Sequence, residues 1–185
     1  KAQKSECRIE SGGVEYVDEF YRSYTKRMRE LGTPPYAKIL FTRLLEYWPQ
    51  YTRVFLVRLN GVCVGGGFVR WYKEIMEILW AATLKEYNSY CPNLFMYWEV
   101  LKFAIAKKMK WFDLGRCDPD GPTYHFKERL GGQKRMLYYY TWVPEGSEFI
   151  AFSPESDRYR WKVALWKKLP LPLTRLVGPW ISRGF

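Results

Sequence analysis

The run from Thr52 to Ala82 leaves this chain the fewest choices. Thr52 to Leu59 is rich in β-forming residues, Asn60-Gly61 is the dipeptide that accepts a tight hairpin turn, and Val62 to Arg70 returns as the partner strand. Glu74 to Ala82 adds a third strand, with Ile75, Glu77, Leu79 and Ala81 on one face and Met76, Ile78 and Trp80 on the other. Inside the second strand stands Gly65-Gly66-Gly67. Glycine weakens a strand, so the triplet marks a bulge, simple strand curvature, or a close approach by another backbone or a ligand.

Helices flank this meander. Val14, Val17, Tyr21, Tyr24, Met28 and Leu31 recur at spacings of three and four, which predicts a helix over Val14 to Leu31 with one apolar stripe. Glu15, Asp18 and Glu19 crowd its first turns and Lys26, Arg27 and Arg29 its last, as the helix dipole favours, and Gly32 closes it. After the rigid turn Thr33-Pro34-Pro35, the residues Ile39, Leu40, Leu44, Leu45 and Trp48 predict a second, shorter amphipathic helix. Beyond the strands, Asn93 is placed to cap a helix that buries Leu94, Tyr97, Trp98, Leu101 and Ile105. Lys102, Lys107, Lys108 and Lys110 fall toward its end.

Trp111 to Gly132 follows. It opens as a short strand, Trp111-Phe112-Asp113-Leu114, expected to be buried with Asp113 as a structural acceptor, and it breaks at Gly115. A polar loop with Arg116, Asp118, Pro119, Asp120, Gly121 and Pro122 then delivers Thr123, Tyr124, His125, Phe126 and Lys127 before Gly131-Gly132. A loop this dense in turn residues, ending in a cation set between aromatics, is where a scaffold holds a reacting group. Arg135 to Trp142 is expected as a last strand. Periodicity alone supports a mixed α/β class and nothing narrower.

Composition narrows the partners. The 185 residues are 48% hydrophobic and 19% aromatic, enough for a full core in one domain. No apolar run approaches the ~20 residues that span a bilayer. Cys7, Cys63, Cys91 and Cys117 stand far apart without a C-x-x-C pair, and with one histidine in the chain no metal site is expected. Reduced thiols in the cytoplasm are the simple reading. The net charge is +11, and Arg158, Arg160, Lys162, Lys167, Lys168, Arg175 and Arg183 fall in a final stretch that holds no acid. Trp161, Trp166, Trp180 and Phe185 are interleaved with those cations. That pattern fits a segment lying on an anionic membrane surface at the inner face of the cytoplasmic membrane. It fits equally a solvated helix packed on the domain by Tyr159, Val163 and Trp166, and the same cations would serve an RNA backbone.

Asp113-Leu114-Gly115-Arg116, then Tyr124-x-Phe126-Lys127 and Gly131-Gly132, resemble the signature of the FemAB-like acyltransferases of the GNAT superfamily. More narrowly they resemble the FemAB-related proteins of exosortase and exopolysaccharide gene clusters. Leu31-Gly32-Thr33-Pro34, Tyr87-Asn88, Pro92-Asn93-Leu94 and Tyr97-Trp98-Glu99-Val100-Leu101 match the same group. The resemblance implies a GNAT-like fold, a mixed, mostly antiparallel twisted sheet flanked by helices. It also implies the second of two such halves. On that reading residues 1–13 are the link from a missing N-terminal half, 14–157 the acyltransferase domain and 158–185 a basic aromatic tail; Lys1-Ala2-Gln3-Lys4, with no initiator Met, fits it.

The implied reaction is N-acyl transfer to an amine of a peptidoglycan or exopolysaccharide precursor, lipid- or nucleotide-linked. No bound cofactor is implied; aminoacyl-tRNA or acyl-CoA is the co-substrate. GNATs that use acetyl-CoA carry a glycine-rich turn that holds the pyrophosphate at a helix N-terminus, and Thr83 to Asn93 contains no glycine, which disfavours acetyl-CoA. By the resemblance Lys127 matches the family's lysine and holds the acyl-transfer intermediate or a substrate anion; an exposed helix lysine is the bland alternative. Arg116 suits a phosphate or carboxylate by its planar fork, or else pairs with Asp113 or Asp118 to fix the loop. Glu77 stands mid-strand, where many GNATs place a base, though a strand glutamate facing the rim is commoner. His125 is the single histidine, and the family pattern requires none there. Thr123, Tyr124, Tyr87, Asn93, Trp98 and His125 complete the candidate substrate groove, with core packing the competing role for the aromatics. A non-catalytic module docking on anionic membrane or polysaccharide through the basic tail is the second functional class. The usual Ser or Thr after Gly-Arg is Cys117 here.

Overall fold

The computed structural model describes residues 6–118, 121–146 and 157–184. Pro119, Asp120, Phe185 and the side chain of Tyr159 lie outside the described residues. The elements in order are β1 (Cys7–Gly12), α1 (Val17–Leu31), α2 (Lys38–Tyr47), β2 (Thr52–Leu59), β3 (Val62–Tyr72), β4 (Ile75–Thr83), α3 (Pro92–Ala106), β5 (Trp111–Asp113), α4 (Pro122–Arg129), α5 (Asp157–Lys168) and α6 (Leu171–Ile181). The chain divides into two compact units, Lys1–Gly115 with Val163–Phe185, and Arg116–Lys162.

The first unit is built on a five-stranded sheet in the order β1-β2-β3-β4-β5. The first four strands pair antiparallel with their neighbours in the chain, and β5 joins β4 in parallel. The strand β1 falls within the stretch 1–13 expected as a link. Asn60 and Gly61 both hold positive φ, as a two-residue hairpin turn that follows the strand twist requires. The helix α1 begins at Val17 after a 3-10 turn over Val14–Tyr16, and it ends as Gly32 N–H bonds the Arg29 carbonyl and Thr33 N–H reaches back to Met28. Gly32, at φ +83°, takes the left-handed position that this closure needs.

One face of the sheet carries α1 and α2. Val17, Phe20, Tyr21, Tyr24, Phe41 and Leu45 meet Val54, Leu56, Phe68 and Ala82 there. Phe41 is the hub of the aromatic contacts, 5.3 Å from Phe20, 5.1 Å from Tyr24 and 5.1 Å from Trp80, all near edge-to-face. On the opposite face Phe103 of α3 packs edge-on to Phe55 and Trp71. The glycine triplet separates the two layers' demands. A Cβ on Gly66 would lie 2.6 Å from the Phe55 carbonyl oxygen, and one on Gly67 would lie 2.9 Å from Met96 Sδ of α3. The close approach is therefore by protein, and bulges flank the run at Val57/Arg58 and at Phe68/Val69.

That second bulge corrects the predicted alternation in β4. Trp80 opposes Phe68 and Ile78 opposes Val69, so Leu79 is the extra residue, and Leu79 and Trp80 both reach the α1 side core. Of the predicted buried face of α3 Tyr97 is buried, but the face is turned. The helix buries Phe95, Met96, Tyr97, Val100 and Ala104, while Leu94, Trp98 and Ile105 are exposed. Apolar residues surround this helix on nearly every side, so spacing cannot choose the inward face. Nor does Asn93 cap it: the N-cap is Cys91, in a left-handed conformation, with Pro92 at the first helical position. Ile39 and Trp48 of the second predicted helix are exposed, and Phe41 and Leu45 are the residues it buries.

The end of α5, from Val163, and α6 complete this unit. Thr174, Gly178 and Ser182 face inward: Gly178 seats on the Pro35 ring, and Ser182 Oγ donates to the Pro35 carbonyl at 3.3 Å. Arg175 Nε donates to Thr25 Oγ1 of α1 at 2.9 Å, and Trp166 is buried. Among the described residues no helix is long and apolar enough to cross a membrane.

The second unit contains α4 and an extended stretch. Residues 122–129 are helix where the sequence predicted loop, because Pro122 supplies the preset φ of a first turn. The predicted strand Arg135 to Trp142 is not one: residues 132–144 form no ladder, and Met136 to Tyr140 and Trp142 are exposed. Aromatic richness favours a strand only where a neighbour offers a partner surface.

Candidate active site

The sheet of the first unit opens into a fork. β4 and β5 pair over Ile75/Trp111, Met76/Phe112 and Glu77/Asp113, and among the described residues β4 then runs on to Thr83 with a strand on its β3 side alone. Glu77 stands on the last shared rung. Its carboxylate pairs with Arg70, its register partner on β3, so its charge is already engaged by a guanidinium. The strand β5 is an edge, not the buried strand expected: Trp111 and Asp113 are exposed. Asp113 keeps its acceptor role nonetheless, taking the Gly115 N–H at 2.6 Å and so turning the chain out of the sheet, where Gly115 holds φ +72°.

Across the fork the link from β4 to α3 is a 3-10 turn over Lys85–Tyr90, tied to α1 by the Glu86–Lys26 ion pair. Lys26 holds the Glu86 carboxyl below its ordinary range. Tyr87 is half-buried in this turn and Asn93 half-buried in the first turn of α3; Trp98 is 54% exposed on the outward side of α3. A pyrophosphate is poorly served there. Pro92 has no N–H, the Cys91 N–H is bonded to the Asn88 carbonyl, and Cys91 carries a side chain where a glycine turn would let phosphate approach. These residues do not fit the pyrophosphate of coenzyme A as a glycine-rich turn does.

In the second unit, α4 gathers the remaining candidates. Lys127 is 9% exposed, and its Nζ donates to the carbonyl oxygen of Arg116 at 2.6 Å, which ties the helix to the start of its own loop. It is not the exposed helix lysine of the bland alternative. Below it the helix closes with Gly131 N–H on the Glu128 carbonyl and Gly132 N–H on the Lys127 carbonyl, the paired bonds that a left-handed Gly131 at φ +82° permits. Tyr124 and His125 rings lie 5.5 Å apart, Tyr124 Oη donates to Glu128 Oε1 at 3.4 Å, and His125 Nδ1 is 3.7 Å from Glu128 Oε2. Lys134 sits over the Tyr124 ring. Thr123 and Arg116 are exposed.

The structure thus brings Arg116, Tyr124, His125 and Lys127 together on one helix and its lead, and sets Glu77, Tyr87, Asn93 and Trp98 around the fork and α3. Sequence reasoning missed two partners. Glu128 organises Tyr124 and His125, and its spacing of four and three from them is a helical signal once residues 122–129 are read as helix. Arg70 engages Glu77 and is visible only from strand register. Burial pushes the Cys7 and Cys63 thiols up, away from the reactive thiolate.

A five-stranded sheet ending in a parallel fork, with a helix crossing between β4 and β5, defines the class. Residues 3–128 match the acetyltransferase (GNAT) domain, and the chain belongs to that family. The FemAB-like resemblance stands with two further similarities. Over 120 residues the chain is 24% identical to the lipid II:glycine glycyltransferase of Staphylococcus haemolyticus, covering 64% of this chain and 28% of that protein. The fold also resembles the crystal structure of FemX, with a TM-score of 0.61 at 13% identity over 69% of this chain and 50% of that one. An aminoglycoside acetyltransferase from an uncultured soil metagenomic sample, solved with sisomicin, has a TM-score of 0.60 at 13% identity over 77% of this chain and 99% of its own. The chain therefore spans a little over a quarter of the curated relative that it matches.

Proposed function

We propose that this chain is one GNAT-like half of a FemAB-type N-acyltransferase, and that it moves an aminoacyl group to an amine of a peptidoglycan or exopolysaccharide precursor. The observation that carries the reading is Lys127, a nine-tenths buried ammonium fixed on the Arg116 carbonyl within a chain whose relative is named for glycyl transfer to lipid II. A cation that is already positioned needs no reorganisation when charge develops on the carbonyl oxygen of the acyl donor. The short share of the relative's length supports a second half as partner.

In the proposed reaction the acceptor amine attacks the ester carbonyl of an aminoacyl-tRNA. A C–N bond forms, the oxyanion is met by Lys127, the C–O bond to the ribose breaks, and the proton lost by the amine ends on the departing hydroxyl. Within the sheet unit Glu77 is the candidate base, and it must release Arg70 to act as one. In the α4 unit Arg116 and Tyr124, with Thr123 and His125, are proposed for the anionic part of the precursor; in the sheet unit Tyr87, Asn93 and Trp98 are the candidate groove residues. The aminoacyl donor is preferred to acyl-CoA because the lead into α3 does not make a pyrophosphate cradle.

Mass spectrometry of reaction products tests this, with charged tRNA or acetyl-CoA as donor and an amino-sugar precursor as acceptor. A mass gain with tRNA should fall by about 10²- to 10³-fold in Lys127→Ala, the scale of losing one oxyanion contact. A gain with acetyl-CoA alone would overturn the donor, and an unchanged Lys127→Ala would overturn the role of the lysine.

A further inference from the structure

The two C-terminal helices sort their side chains by face. On α6, Thr174, Gly178 and Ser182 point inward, and the opposite side presents Leu173, Leu176, Trp180 and Arg183 at spacings of three, four and three. Leu176 and Trp180 are each 69% exposed, and Leu165 of α5 is exposed beside buried Trp166. These outward apolar groups are not held back by a core, since the inward side already closes on Pro35 and Thr25. Four cations, Lys167, Lys168, Arg175 and Arg183, and no acid lie between Val163 and Gly184. Arg183 stacks on Trp180 at 4.5 Å, a cation set beside an exposed indole.

We propose that the outer face of α6, Leu173, Leu176 and Trp180 with Arg183, together with the exposed Leu165 and Lys168 of α5, seats on an anionic lipid surface. Leucine and tryptophan side chains gain by entering the boundary between headgroups and acyl chains, where an indole is favoured at the polar edge. Cations with no acid among them gain from the negative surface potential of such a leaflet, within about a Debye length. A protein partner would need matching acids, and RNA would use the cations while leaving Leu173 and Leu176 in water. The exposed leucines are what favour lipid. Lipid docking is independent of acyl transfer: a chain inactive as a transferase would bind the same vesicles.

The experiment is co-sedimentation of the chain with vesicles of equimolar phosphatidylglycerol and phosphatidylcholine, beside vesicles of phosphatidylcholine alone. Leu176→Asp with Trp180→Ser removes the apolar contact, and Lys168→Glu with Arg183→Glu reverses the charge; melting by circular dichroism identifies whichever pair keeps the fold. The expected result is binding to the anionic vesicles only, lost by roughly tenfold or more in both pairs, as removal of two membrane contacts implies. Equal binding by a folded variant and wild type overturns the proposal. So does wild-type binding to polyuridine without binding to vesicles, or self-association in sedimentation velocity that the same variants abolish without any vesicle binding.

Discussion

The sheet unit and the unit around α4 hold their helices in the same way at the end and in opposite ways along the side. Gly32 after α1 and Gly131 after α4 make the same pair of closing hydrogen bonds at positive φ. Yet α1 buries six residues, four of them large apolar side chains or tyrosines packed on the sheet, whereas on α4 Lys127 is the one buried residue among the described side chains. Among the described contacts one helix is positioned by core, the other by its C-terminal cap and the Lys127 ammonium. A candidate catalytic cation is thus carried where packing constrains it least and local hydrogen bonds constrain it most.

Substitutions can break that contrast. The largest loss should follow Phe41→Ala, which removes the ring joining Phe20, Tyr24 and Trp80: about 3–5 kcal/mol in denaturant unfolding. Gly66→Ala should cost about 1–3 kcal/mol, since its Cβ meets a backbone carbonyl. Gly67→Ala should cost less, because the nearest atom there is the sulfur of Met96, which can move. If the two glycine variants melt alike, the distinction between strand and helix contact is wrong.

Gly131→Ala should strain the cap of α4 by about 1–2 kcal/mol, the usual cost of a left-handed alanine. Its signature is faster amide exchange over Phe126 to Leu130 with the main unfolding midpoint nearly unchanged; a midpoint drop as large as that of Phe41→Ala would erase the contrast. The smallest effect concerns Glu19. Arg58 donates to both its oxygens and holds the Glu19 carboxyl below its ordinary value of 4.5. A lowered folded-state pKa contributes stability that is present above the unfolded value and fades as pH falls through the folded one. Stability should therefore slope downward below about pH 4.5, and Glu19→Gln should flatten that slope by less than about 1 kcal/mol, because the pair is partly exposed.

The meander, the first helix and its glycine stop were legible in the sequence because one face of each is apolar and the other is not. The third helix was legible as a helix and not as an oriented one. Leu94, Trp98 and Ile105 fit an apolar stripe as well as Phe95, Met96 and Val100 do, and only the space opened by Gly67 decides between them. The helix around Lys127 hid behind its proline and glycines, which signal turns as strongly as they signal a capped first turn. The burial of Lys127 had no sequence signal at all, since it depends on a carbonyl eleven positions earlier in the chain.

The bond from Arg175 to Thr25 joins positions 150 apart in sequence. A contact of that span carries a high loop-closure cost and forms late, after the local hairpins have paired. As the chain emerges during synthesis, α1 must wait with Thr25 and its Pro35 neighbour uncovered until α6 has been made. The order of synthesis therefore leaves the flank that α6 covers open on the nascent domain, and a pulse-labelling experiment would time its closure.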